Sequence, residues 1–177
     1  LALYALAGAS VDARKLAAAG ASAEHDYAGI RSGVMDQLIC ALGVRDNALL
    51  IDCRSLETTP VPLPPNVTIA VCDTGVKHAL ANSEYNGRRA ACERGVEMLR
   101  RSGMNITALR DLSVEDFERV QQQLPSPVRE RCRHVVYENQ RTLDAARAIG
   151  AGDLGQAGAL FNASHHSLKE LYQVSSP

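Results

Sequence analysis

No excess of charge of either sign, no long apolar run and no paired-cysteine motif occur in this sequence, and each absence closes off a class of function. Acids number 20 and bases 19, for a formal net charge of -1, so no basic field is available to draw nucleic acid or anionic lipid by bulk electrostatics. No apolar stretch approaches the roughly 18 to 20 residues that a membrane helix requires, and no charged region precedes the apolar start as in a signal peptide. The expectation is a soluble, cytoplasmic chain with neither nucleic acid nor membrane as partner. The five cysteines, Cys40, Cys53, Cys72, Cys92 and Cys132, show no C-x-x-C spacing and read as small core residues in a reducing compartment. G-x-x-x-x-G-K-[ST] does not occur, and the single G-x-G-x-x-G run, Gly150-Ala151-Gly152-Asp153-Leu154-Gly155, interrupts a helical pattern instead of following a strand, so neither common glycine-rich phosphate loop is supported. Internal repeats are absent, and the N-glycosylation tripeptides at Asn66, Asn105 and Asn162 read as accidental.

What is present is a chain of 177 residues, 46% hydrophobic, enough for one domain or two small ones with a real core. The apolar start, Leu1 to Ala7, reads as the end of a helix cut in mid-course and stopped at Gly8. Ser10 then caps a helix from about Val11 to Tyr27, whose interior face is Leu16, Ala19, Ala23 and Tyr27. Ala48 to Asp52 reads as a short strand, and Pro60 to Pro65 as the junction between domains 1–64 and 65–177. Val67 to Cys72, β-branched and apolar, reads as a second strand leaving through Asp73-Thr74-Gly75. From Asn82 the pattern is helical to the end, with helices starting near Asn82 or Ser83, at Ser113 with Asp116, at Ser126-Pro127 and at Asp153.

One segment stands out for chemistry. After Ser32 and Gly33, the residues Val34, Met35, Leu38, Ile39 and Leu42 fall on a helical arc of roughly 140°, with Asp36 just beyond its edge. That places a carboxylate at the rim of a core in the first turn of a helix, where the helix dipole favours its ionised form by about 0.3 to 1 kcal/mol. An ionised, half-enclosed carboxylate is what a proton acceptor needs. Position alone does not separate this role from a purely structural first-turn acid. Glu24, near the C-terminal end of the preceding helix where the dipole disfavours an acid, implies that something else holds it there. His165 and His166 are adjacent and point about 100° apart, so they do not pair on a metal. Arg129, Arg131 and Arg133 beside Glu130 read as a solvated helix face.

The run Ala23-Glu24-His25-Asp26-Tyr27-Ala28-Gly29-Ile30-Arg31-Ser32-Gly33-Val34-Met35-Asp36-Gln37 resembles the AEH-x-F-x-G-x-x-x-GIMDQ segment of galactokinases, sugar kinases of the GHMP superfamily. The likeness continues through Leu50 to Ser55, Val71 to Lys77, Ser83 to Arg89, Arg133 to Asn139, Asn162 to Leu168 and Tyr172 to Pro177. It implies an α+β fold in two lobes, mostly helical in this part with a few strands, and ATP, Mg²⁺ and galactose as ligands. Asp36 would accept the proton of the sugar C1 hydroxyl. Glu24, twelve residues earlier, would bind Mg²⁺, which is satisfied by one or two carboxylates with phosphates and water. Tyr85 would hydrogen-bond the sugar, and Gly33 would give it a close backbone approach. Asp73, Thr74 and Lys77 match a loop near the active site, with roles left open.

The family's GRVNLIGEHTDY, GLSSSA and GAGFGG segments have no counterpart in this sequence. The expectation is that the 177 residues alone transfer phosphate poorly, because no loop supplies the backbone N-H groups that cradle phosphates. A related sugar 1-kinase acting on N-acetylgalactosamine or arabinose is an alternative, and so is a non-catalytic sugar sensor that works through a protein partner.

Overall fold

Asp12 starts the first well-formed helix: its side chain accepts from the backbone N-H of Arg14 at 2.8 Å and of Lys15 at 3.4 Å, satisfying donors that a helix start leaves open. The structure, a computed structural model, describes residues 4, 6–28, 33–73, 75 and 83–175. They fall into two compact units, one within 4–72 and the other within 73–175.

In the first unit, helix α1 (Ala13–Ala23) runs on into a π-helical turn, Glu24–Ala28, and packs against helix α2 (Met35–Leu42). Strands β1 (Asn47–Ile51) and β2 (Thr58–Pro62) form an antiparallel hairpin in which Asn47 faces Pro62 and Ile51 faces Thr58. The β1 expectation holds. The proline-rich stretch differs in that its first residues, Pro60 to Pro62, are strand, because an edge strand tolerates proline wherever the missing N-H would face away from its partner. Val67 to Cys72 is not a strand. Ile69 and Val71 are largely exposed, and no other strand pairs with this segment among the described residues, so its β-branched residues have no ladder to join.

Helix faces in this unit also differ from the periodicity. The buried residues of α1 are Ala17 and Ala21, whereas Ala19, Ala23 and Tyr27 are exposed. The helix begins at Asp12 instead of Ser10 because the aspartate side chain makes the cap, and the π turn after Ala23 shifts the register of every later side chain. In α2 only Leu38 is buried, while Met35 and Ile39 are exposed. Three of the five cysteines, Cys40, Cys53 and Cys72, are exposed and not core.

The second unit is helical. Helix α3 (Ser83–Arg101), α4 (Val114–Val120), α5 (Val128–Gly150) and α6 (Leu154–Ser167) are followed by a π-helical turn, Leu168–Tyr172. The starts agree with the sequence reading: Ser113 Oγ accepts from Asp116 N at 3.0 Å, and Asp153 Oδ1 accepts from Gln156 N at 2.9 Å. Gly152, at φ +75°, makes the left-handed turn between α5 and α6 that a side chain would oppose. The core joins Ala91 and Leu99 of α3, Ile106, Leu109 and Leu112, Phe117 of α4, Leu124, and Val128, Cys132 and Val136 of α5. Fully burying one such large side chain is worth about 1.5 to 3 kcal/mol.

Candidate functional site

In the first unit the helix pair α1 and α2 carries the two acids. Gly20 faces α2 so closely that a Cβ there would sit 3.2 Å from Gln37 Cγ, which makes Gly20 and Gln37 one close contact of the pair. Glu24 lies one turn beyond Gly20 along the chain, in the π-helical turn, and Asp36 immediately precedes Gln37 in the first turn of α2. Both carboxylates are exposed. The expectation that Asp36 is half-enclosed is therefore corrected: Met35 and Ile39, of the apolar arc beside it, are themselves exposed. Gln37 Oε1 is enclosed and has no hydrogen-bond partner among the described residues, a buried acceptor whose desolvation typically costs about 1 to 3 kcal/mol.

Gly33 is exposed, and a Cβ built on it would meet nothing within 4 Å. Open space lies beside the backbone there. Asp73 Oδ1 accepts the Gly75 N-H at 2.8 Å, with Gly75 at φ +71°, a turn that closes on its own aspartate. Thr74 and Lys77 lie outside the described residues.

Tyr85 belongs to the second unit, at the start of α3, and is partly exposed. Charge on Tyr85 is felt by Tyr172, which ties the start of α3 to the turn after α6. Burial, with help from Cys92, pushes the Tyr172 phenol up to about 12, so it stays protonated. Its ring lies 4.5 Å from that of His134 and 5.9 Å from the Arg131 guanidinium carbon. Arg88 Nε donates to Tyr172 O at 2.8 Å, and Arg131 Nη2 donates to Gln173 Oε1 at 2.8 Å. Arg88 also reaches Gln173 O, and Arg131 reaches Leu171 O. Two cations thus hold the last carbonyls of a helical segment, where the dipole is negative.

The expectation of a solvated arginine face on α5 is corrected. Arg129 donates to Gln122 at 3.1 Å, Arg133 donates to Gln121 at 3.1 Å and pairs with Glu118 at 3.2 Å, and Arg131 is partly buried under the chain end. Arg131, His134, Glu138 and Arg141 follow one another at helical spacing. That polar seam was missed because its charges look like solvent-facing ones. The signal available was their 3-4-3 spacing, with a histidine in the middle, alongside the apolar row Val128, Cys132 and Val136. His165 and His166 are exposed.

Among the described residues no three His, Cys, Asp or Glu side chains converge as a metal site. That leaves no many-ligand protein cage. It is compatible with Mg²⁺, whose usual donor set of one or two carboxylates plus phosphates and water fits a carboxylate such as Glu24. Nor does any described helix have the length and apolarity to cross a membrane.

No family model matches the chain. It is 50% identical over 161 residues to the galactokinase of Chloroflexus aurantiacus, covering 91% of this chain and 41% of that protein. It is 41% identical over 165 residues to the galactokinase of Actinobacillus succinogenes, covering 92% of this chain and 42% of that protein. Its structure resembles the crystal structure of Lactococcus lactis galactokinase complexed with galactose, with TM-score 0.86 and 33% identity over 99% of this chain and 45% of the other. The chain spans about two-fifths of the length of the curated relatives it matches.

Proposed function

The chain has the sequence and the α+β GHMP fold of galactokinases over nearly all its own length, and from that premise we propose that it supplies the catalytic acid and a magnesium ligand of a galactokinase. The reaction is transfer of the γ-phosphoryl group of ATP to the C1 hydroxyl of α-D-galactose, giving galactose 1-phosphate and ADP. Residues 1–64 are assigned to one lobe and 65–177 to the other, and the protein is assigned to the cytoplasm. The likeness to a galactokinase complexed with galactose is the observation that carries the reading.

In this reading Asp36 takes the C1 hydroxyl proton as that oxygen attacks phosphorus, help typically worth about 10² to 10⁴ in rate. Asp36 is exposed in the first turn of α2, so a sugar hydroxyl can reach its carboxylate. Glu24 holds Mg²⁺, which neutralises phosphate charge when bound with ATP. Gly33 offers the sugar unobstructed backbone, and Tyr85 offers it a ring face and a hydroxyl. Phosphoryl transfer has a loose transition state with little covalent work for the protein, so most of the remaining acceleration is positioning and charge stabilisation. No segment matches the family's GLSSSA phosphate loop, and on this reading the 177 residues by themselves turn over slowly or not at all.

The test is a phosphotransfer assay on the full-length protein containing this segment, with galactose, N-acetylgalactosamine and arabinose as acceptors. Galactose is expected to be the best acceptor, and Asp36→Ala is expected to abolish turnover while calorimetry still detects galactose binding. Preference for another sugar moves the assignment to a related 1-kinase. Galactose binding without turnover by the unaltered protein moves it to a sensor.

A further inference from the structure

We propose that Cys92 and Cys132 form a two-thiol site that peroxides oxidise to a disulfide, with Cys92 as the reactive sulfur and Cys132 as its resolving partner. The geometry starts at Gly95. A Cβ on that residue would lie 2.2 Å from Cys132 Sγ and 3.3 Å from a Val128 methyl, so α3 and α5 approach here more closely than any larger residue would permit. Cys92 stands one turn earlier on α3, on the same face as Gly95. Cys92 packs against the core cluster that contains Cys132.

The two sulfurs differ in access. Cys132 is buried, whereas Cys92 is half-buried and lines a surface cavity of about 490 Å³. Arg89, Glu93, Val96 and Arg100 share that cavity wall, so a small polar oxidant reaches Cys92 without unfolding. They also differ in acidity. The hydrogen bond with Cys132 lowers the Cys92 thiol against the opposing effect of burial, and Tyr172 and Arg131 lower it further, with Glu93 opposing. The same hydrogen bond and burial push the Cys132 thiol up. The lowered thiol thus belongs to the residue that lines the cavity, the setting in which cysteines are reactive.

The chemistry balances with a peroxide as the oxidant. The Cys92 thiolate attacks one oxygen of hydrogen peroxide, the O-O bond breaks, and hydroxide leaves and takes up the proton released by the thiol, giving a sulfenic acid and water. Cys132 sulfur then attacks the sulfenic sulfur, forming the S-S bond and releasing a second water. Two thiols have lost two electrons in all, and one peroxide has gained them. The product ties the first half of α3 to α5 beside Arg88 and Arg131, which hold Leu171 to Gln173.

The experiment uses the chain with Cys40→Ser, Cys53→Ser and Cys72→Ser, which removes the exposed thiols. After hydrogen peroxide treatment, the intact mass is expected to fall by about 2 Da for two lost hydrogens, with one proteolytic peptide joining residues 92 and 132 and full reversal by dithiothreitol. Adding Cys132→Ala should leave Cys92 as a sulfenic acid that dimedone traps. If that variant does not fold, the cross-linked peptide from peroxide-treated unaltered chain decides alone. Overturning results are two free thiols after treatment, oxygen addition without a cross-link, or disulfides only between chains.

Discussion

His134 and Ser167 join α5 to α6, with the imidazole Nδ1 2.8 Å from the hydroxyl oxygen and both residues buried. Burial holds the imidazole below its usual value near 6.5, with Arg141 and Arg131 acting the same way and Glu138 against. The unfolded chain therefore binds more protons than the folded one as pH falls through about 6.5. The contribution of His134 to stability is complete above that pH and is lost below it, down to the folded value. Urea unfolding of the chain at pH 7.5 and pH 5.5 should show this loss, and His134→Gln should reduce the difference between the two. The substitution should also cost about 1 to 3 kcal/mol at pH 7.5 by disturbing a buried hydrogen-bonded pair.

Two helix glycines should respond to alanine in opposite directions. Gly95→Ala drives a methyl into Cys132 and Val128, and overpacking of this kind costs about 1 to 3 kcal/mol, more than the gain of up to about 1 kcal/mol in helix propensity. Gly158→Ala in α6 meets nothing within 4 Å, so only the propensity gain remains. Thermal unfolding should place the first variant below the parent chain and the second above it.

Arg131→Ala should free the segment after α6. The segment is held by Arg88 and Arg131 on carbonyls 171 to 173 and by the Val174 N-H donating to Leu168 O at 3.2 Å. Amide exchange at Val174 should quicken by about tenfold or more, given that hydrogen bonds to charged groups contribute about 1.5 to 3 kcal/mol. Amides in the middle of α5 should be unchanged in native-state exchange. Unchanged protection at Val174 would show that the arginines do not hold this turn.

For the proposed reaction, Asp36→Asn in the full-length protein should lower kcat by about 10² to 10⁴ with galactose affinity kept. Glu24→Gln should instead raise the magnesium concentration needed for half-maximal rate. Steady-state kinetics with magnesium titration separates the two roles, and equal effects of both variants on magnesium dependence would remove the distinction.

Helix starts were the most legible feature of the sequence because they are local: Ser113, Asp153 and the Ser126-Pro127 step each act within one turn. Burial was less legible wherever it depends on what covers a surface. Met35 and Ile39 carry the same apolar pattern as Leu38, yet only Leu38 is covered, and periodicity cannot state which side of a helix finds a neighbour. The same limit applies to Val67 to Cys72, where strand propensity needs a partner to become a strand. For the candidate site, the order of Glu24, Gly33 and Asp36 was readable from motif spacing. The Gly20 to Gln37 contact was not, since it pairs residues through space. The seam from Arg131 to Arg141 was hidden by composition, because charged residues pack inside a helix interface only when partners such as Ser167 and Gln173 arrive from elsewhere in the chain.

The hairpin of β1 and β2 has unequal margins. Leu63 N donates to Asp46 O at 2.9 Å, and Asp52 N donates to Glu57 O at 2.9 Å, so the odd-numbered residues of the second strand turn their amides inward and positions 60 and 62 face out. Position 58 faces out as well, but 60 and 62 are proline, which has no amide hydrogen to offer. That margin keeps its carbonyls and loses all but one of its donors. Leu49 and Ile51 turn their amides the other way, so the first strand offers an added strand both donors and acceptors, and any extension of this ribbon is favoured on that side.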